Sequence, residues 1–359
     1  MSRARTFADL ATASEAGSLG KRNMIINGDM AVAQRATSAT NKSASGYYTC
    51  DRWSYVHSGD GAVDFAQSTV VTPTEFNNAL KIEVRTADGS LGATDVSGLR
   101  HYIEAQNCQK LLYGTSSAKS VTLSFHVRSK QTGTYAVNLF QDDDTRQFTK
   151  TYTINSADTF EKKTITFVGD TTGVIDVNNG KGIEITWWLR AGSTYTGGDA
   201  MSGYEAFSNG DYAVGHAVDF LSSTSNEFYL TGVQLEIGDV ATPFEHESYG
   251  DNLKRCKRYF IRYNNSGNYA IGAAEDGTRG IFAFPAPDMR AAPTGTQGTL
   301  TLGGGIGSPP AVTAISSVTN SGHGLDLLLT VGSGLTAKDA LRIRATDTAS
   351  FLAFDAELS

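Results

Sequence analysis

The sequence predicts an all-β protein: a jelly-roll-like β-sandwich, then a smaller C-terminal β-sandwich domain, with a short N-terminal segment and one short linking helix. Three observations carry this. Two-residue alternation recurs along the chain, as in Val121, Leu123, Phe125 and Val127 against Thr122, Ser124, His126 and Arg128. Glycine is abundant, 38 of 359 residues, which supplies turns between short strands. A clear helical period follows the strand-like Phe228–Ile237, where Tyr249, Leu253, Cys256 and Phe260 are spaced four, three and four apart. The boundaries read from these patterns are 1–22, 23–248 and 249–359.

Residues 1–22 carry a weak helical stripe of Phe7, Leu10, Ala11 and Ala13, too short for a stable lone helix. In 23–248, Met24–Ile26 and Met30–Val32 bracket a hairpin-type turn at Asn27–Gly28–Asp29. Strands are expected from Trp53, at Leu80–Val84, Leu99–Glu104, Val121–Arg128, Tyr135–Phe140, Thr151–Ile154, Thr164–Val168 and Ile183–Arg190, with a helical turn near Gln106–Leu112. Strands at this spacing read as a sandwich, most economically a jelly roll. In 249–359, Ser248 or Asp251 can cap the opening helix, whose Lys254, Arg255, Lys257 and Arg258 fall off the apolar stripe onto a solvated face. Short strands follow, and Leu325–Val331, nearly all apolar, is expected to be buried on both faces or at an interface.

The formal charge of −7 argues against a nucleic-acid partner. Three sparse cysteines, Cys50, Cys108 and Cys256, argue against a disulfide framework and fit folding in a reducing cytosol. No run of eighteen apolar residues occurs, so membrane insertion by a helix is not expected. The histidines lack metal-ligand spacing, and no nucleophile elbow or phosphate loop appears. No catalytic residue, cofactor or metal is therefore assigned. Asp142–Asp143–Asp144 could offer oxygens to Ca²⁺ but lacks EF-hand spacing, and reads as a solvated turn.

Four blocks occur in order: NMIINGDMAVAQRAT with YTCDRW at 23–53, the region 121–195, VQLEIGDVATPFEHESYGDNLKRCKRYF at 233–260, and MRAAPT with FDAELS towards the C-terminus. Together they resemble bacteriophage tail fibres and related virion proteins. The resemblance implies a carbohydrate-binding-module-like sandwich, an N-terminal segment that anchors to other tail or adaptor proteins, and a terminal domain that forms a homotrimer. It implies a short tail fibre in the virion tail, assembled in the host cytoplasm, that contacts host surface polysaccharide; because no catalytic constellation stands out, an enzyme is not expected. A head fibre, decoration or adaptor protein of the virion is the alternative reading. A polysaccharide-depolymerising tailspike is a third, though the repetitive β-helix pattern is missing.

Sugar recognition needs a flat aromatic surface and paired donors and acceptors. The faces of 121–128 and 183–190 opposite the core offer Trp188, Arg190, Glu184, His126 and Arg128, with Thr122, Ser124 and Thr186. Trp188 is then a sugar platform, or it is buried under a loop or at a subunit contact. Trp187 belongs to the core.

Overall fold

A computed structural model describes residues 21–70, 73–264, 267–284, 286–303, 309–320, 324–345, 347 and 349–358. The expected anchoring segment therefore lies almost wholly outside the described residues. The chain divides into two compact units, Met1–Asn252 and Leu253–Ser359.

The first unit is all-β. Its strands are β1 (Ser38–Lys42), β2 (Gly46–Tyr47), β3 (Trp53–Ser58), β4 (Ala62–Thr69), β5 (Asn78–Thr86), β6 (Val96–Glu104), β7 (Val121–Ser129), β8 (Gly133–Gln141), β9 (Arg146–Ile154), β10 (Glu161–Phe167), β11 (Lys181–Ala191), β12 (Glu205–Ala206) and β13 (Glu227–Ile237). They form two antiparallel sheets: a six-stranded one in the order β1-β4-β5-β13-β7-β10, and a seven-stranded one in the order β12-β9-β8-β11-β6-β3-β2. The inner faces meet in one core. Val121, Leu123, Phe125 and Val127 come from one sheet, and Ile183, Ile185, Trp187 and Leu189 from the other. The rings of Phe125 and Trp187 meet edge-on at 5.9 Å across it. The two-residue period thus did its expected work, placing one side of each strand inside. The expected helical turn is present as Ala105–Cys108 with a 3-10 turn at Gln109–Leu111.

The stretch around Asn27 is not a hairpin. The expected turn is present, with the Met30 amide donating to the Asn27 carbonyl at 3.2 Å, but no strands flank it among the described residues, and further partners of Asn27 lie outside the turn. Asn27 has a positive φ of 60°. Its side-chain amide donates to the Val32 carbonyl at 2.8 Å and the Asp51 carbonyl at 2.9 Å. Its own carbonyl accepts from Trp53 Nε1 at 3.0 Å. Asn23 Nδ2 donates to the Val233 carbonyl at 3.0 Å, and the Leu235 amide donates to Asn23 Oδ1 at 3.1 Å. A Cβ at Gly28 would run into the Val233 carbonyl oxygen, so only glycine fits there. The blocks at 23–53 and 233–245 are therefore one buried clamp, closed where the Glu245 carboxylate accepts from the amides of Lys21 at 2.8 Å and Asn23 at 2.7 Å.

The helix Tyr249–Lys257 is capped by Ser248, whose Oγ accepts from the Asp251 amide at 3.2 Å. Cys256 is buried, whereas Tyr249 is 60% exposed, so the apolar stripe is shorter than its spacing suggests.

The second unit has strands β14 (Phe260–Tyr263), β15 (Gly267–Ala274), β16 (Arg279–Phe284), β17 (Thr294–Gln297), β18 (Leu300–Gly303), β19 (Val312–Asn320), β20 (Leu325–Val331), β21 (Ala340–Ala345) and β22 (Leu352–Asp355). A three-stranded sheet, β14-β22-β17, and a six-stranded sheet, β18-β21-β15-β16-β20-β19, enclose a second core. β20 is buried on one face only: Leu325, Leu327, Leu329 and Val331 point inward, Asp326 is exposed, and Leu328 and Thr330 are half-buried. Its apparent all-apolar run hides an ordinary alternation, with Leu328 the exception on the outer side.

Candidate functional site

The five residues expected to share a sugar-binding face do not come together. Trp188, Arg190 and Glu184 lie on β11 of the seven-stranded sheet, and His126 and Arg128 lie on β7 of the six-stranded sheet. Their outer faces are on opposite sides of the shared core. β11 pairs with β6 and β8, while β7 pairs with β10 and β13.

On the six-stranded sheet, His126 is buried against Phe76, with ring centroids 5.2 Å apart, and its Nε2 is 3.5 Å from Glu75. Burial lowers its pKa. Arg128 lies over the Tyr229 ring at 4.1 Å. Its guanidinium is 3.8 Å from Glu227 and 3.9 Å from Asp158. Arg128 is thus held among carboxylates and an aromatic ring of its own face.

On the seven-stranded sheet, Trp188 has no exposed surface. It packs with Val96, Ala136, Ala191 and Ala213, beneath Tyr195 and Tyr212 of the long connection between β11 and β13. Gly98, its neighbour on β6, has no room for a Cβ, which would sit 2.8 Å from the Trp187 carbonyl and 3.3 Å from the Trp188 ring. Of the two readings of Trp188, burial under a loop describes its place. Arg190 is wholly buried and forms a charge clamp, with Asp88 at 2.7 Å, Asp219 at 3.2 Å, Asp95 at 3.5 Å and the Ser90 carbonyl at 3.0 Å. The Ser90 amide and then Arg190 hold the Asp88 carboxyl below its usual range, against a smaller desolvation effect, whereas burial raises Asp219 despite Arg190. Arg190 thus ties the 88–95 loop and Asp219 to the sheet.

Glu184 sits in a different setting. Its Oε1 accepts from Tyr212 Oη at 3.0 Å and Thr186 Oγ1 at 3.1 Å and forms an ion pair with Arg100 Nε at 3.0 Å, while Arg100 Nε donates to Thr186 Oγ1 at 3.1 Å. Arg100 Nη2 also donates to Tyr212 Oη at 2.7 Å. Oε2 of Glu184 takes no partner among the described residues. Burial, with Glu184 beside it, pushes the Tyr212 hydroxyl above its usual range, so Tyr212 remains a donor. Burial opposes the Arg100 charge, and Glu184 more than restores it. Around this polar floor stand aromatic rings. Tyr212 meets Trp188 at 4.8 Å and Phe207 at 5.4 Å, and Phe207 meets Phe140 at 5.7 Å, all edge-on. Phe207 is 38% exposed, and Phe140 and Tyr212 are half-buried.

Register explains the arrangement. Glu184 stands opposite Tyr102 on β6 and Phe140 on β8, and Thr186 stands opposite Arg100. The sequence reading therefore found Glu184 but missed Arg100, Tyr102 and Phe140, which the alternation of β6 and β8 could have indicated. Tyr212 and Phe207 lie outside the regular strands, where no period marks them. Glu184 is itself buried, at 5% exposure, so the face can supply a fixed carboxylate with one unpartnered oxygen beneath its surface, a guanidinium, hydroxyl groups and an aromatic rim.

The acidic turn at 142–144 is used locally. Asp143 Oδ2 accepts from the Asp176 amide at 3.0 Å, Asp144 Oδ2 accepts from the Val174 amide at 2.6 Å, and Asp142 pairs with Lys181 at 3.1 Å. Among the described residues, no group of three or more His, Cys, Asp and Glu could hold a metal ion.

No family model matches the chain, and no curated protein matches it. Solved structures do. The enzymatically active domain of tailspike protein 4 from bacteriophage CBA120 is 10% identical over 60% of this chain, at a TM-score of 0.32; the match spans 22% of the tailspike chain. A family 4 carbohydrate-binding module is 13% identical over 60% of this chain and 99% of its own, at 0.31. The family 11 carbohydrate-binding module of Clostridium thermocellum, solved with a β-1,3-1,4-mixed-linked tetrasaccharide, is 11% identical over 58% of this chain and 98% of its own, at 0.29. At such TM-scores these likenesses assign neither ligand nor reaction to this chain.

Proposed function

We propose that this chain is a phage virion structural protein of the short tail-fibre type, and that its first unit adheres to host surface polysaccharide. The four-block resemblance supports the virion assignment. The observation that carries the adhesive reading is the Arg100–Glu184–Tyr212 group on the outer face of the seven-stranded sheet. A pyranose hydroxyl would have to reach in to the buried, unpartnered Glu184 Oε2, and the sugar's CH face would rest on Phe207 and Phe140. The role is binding without catalysis. Assembly into three copies and attachment through residues 1–22 belong to the same reading, and several weak sites on one particle would act by avidity.

The test is binding of the full chain to host surface polysaccharide. Phe207→Ala and Glu184→Gln should each bind about ten-fold more weakly, the ~1.4 kcal/mol scale of one lost contact. Undiminished binding by both variants would sink the site. Antibody labelling of virions should decorate the tail; label confined to the capsid would favour the head-fibre or decoration alternative.

A further inference from the structure

The two six-stranded sheets of this chain present unlike outer faces. The sheet in the first unit is covered by internally paired charges: Lys81 with Glu83 at 2.7 Å and Glu227 at 3.3 Å, Lys130 with Glu227 at 3.3 Å, and Arg85 with Asp64 at 3.1 Å. The sheet in the second unit is bare across its middle. Ile271 is 77% exposed and Ile281 is 47% exposed. Ala273, Ala283 and Ala340 are exposed beside them, and Leu328 is half-buried. Contiguous exposed apolar strips are where contact surfaces occur.

The register arranges the strip in two rows across β21, β15, β16 and β20. Arg342 pairs with Ile271, Ala283 pairs with Asp326, and the β15–β16 register, continued by one residue, sets Ile271 beside Ala283. The first row therefore runs Arg342, Ile271, Ala283, Asp326. The second runs Ala340, Ala273, Ile281, Leu328, from the pairs Ala273–Ala340, Ala273–Ile281 and Ile281–Leu328. Asp326 and Arg342 are exposed, and neither has an ion partner among the described residues.

We propose that this face packs against the same face of a second copy of the chain. Consider a two-fold axis parallel to the strands, between β15 and β16. Rotation about it lays each row on its own reverse. Ile271 then meets Ala283 of the second copy, Ile281 meets Ala273, and Leu328 meets Ala340. Every large side chain opposes a small one, as face-to-face sheets about 10 Å apart require. The same rotation sets Arg342 over Asp326, pairing both open charges. The face is thus complementary to itself in size and in charge, which is the mark of an isologous contact. The contact yields an even number of copies, either a dimer or two trimers joined back to back.

Mass measurement on the full chain by light scattering tests this. The wild type should hold an even number of copies, and Ile281→Glu, on the outer side of the sheet, should halve the mass. Arg342→Asp alone and Asp326→Arg alone should each halve it, and the double exchange should restore it. An odd copy number, a single copy at every concentration, or a mass unmoved by Ile281→Glu would overturn the proposal. So would a double exchange that fails to rescue, because the paired register would then be wrong. None of these readouts depends on glycan binding.

Discussion

The indole Nε1 of Trp188 donates a hydrogen bond to the backbone carbonyl of Tyr212 at 2.8 Å. This bond fastens the connection that crosses the seven-stranded sheet, and so fixes the ring whose hydroxyl holds Glu184. Trp188 acts through that connection and has no surface of its own to offer.

Trp188→Ala is accordingly expected to lower stability by about 3–5 kcal/mol, the usual cost of emptying a buried tryptophan site. Trp188→Phe keeps most of the packing and loses the hydrogen bond, at a cost of about 1 kcal/mol for the bond itself. Urea unfolding of the two variants should separate these effects. A Trp188→Ala variant of wild-type stability would show that the indole is not structural.

His216 anchors the same connection from beneath. Its Nδ1 accepts from the Ala136 amide at 3.2 Å, and burial pushes its pKa down to about 4. The unfolded chain binds the proton near pH 6.5, and the folded unit binds it only near 4. The stability contributed by the neutral ring is complete above pH 6.5 and declines as the pH falls from there towards 4. Replacement by Gln should flatten that part of the stability–pH curve. An identical slope in the variant and the wild type would exclude His216 as its source.

Arg190 provides an electrostatic test. Its guanidinium faces three carboxylates inside the unit, so Arg190→Met leaves Asp88, Asp95 and Asp219 facing one another without a cation. Removing one partner of a buried pair costs about 3–5 kcal/mol. The expected readout is a lower urea midpoint, partly recovered when Asp219→Asn is added. No recovery would mean that packing, and not charge, dominates at this position.

The sheet strands were legible because burial of one face imposes a two-residue period. Val121–Ser129 and Lys181–Ala191 both announce themselves in this way. Their partners were not legible, because alternation carries no information about which strand lies alongside. β7 and β11 therefore looked like neighbours and proved to belong to different sheets. The candidate site was half legible for the same reason. Glu184 lies on a periodic strand, whereas Tyr212 lies in an irregular connection, brought to Arg100 across 112 positions of sequence. At Asn27 the turn was legible and the absence of a hairpin was not. Asn-Gly favours the positive φ of a tight turn, and Asn27 does adopt one. What that conformation serves is a set of hydrogen bonds to residues 32, 51 and 53, none of them adjacent in sequence.

The clamp formed by Asn23, Gln234 and Glu245 has a mechanical meaning. Glu245 accepts from the amides of Lys21 and Asn23, and its own amide donates to Gln234 Oε1 at 2.8 Å. The strand of chain that enters the first unit and the one that leaves it are thus hydrogen-bonded to each other. A pull applied across both segments meets this short lock first, and the two sheets carry no load until it opens.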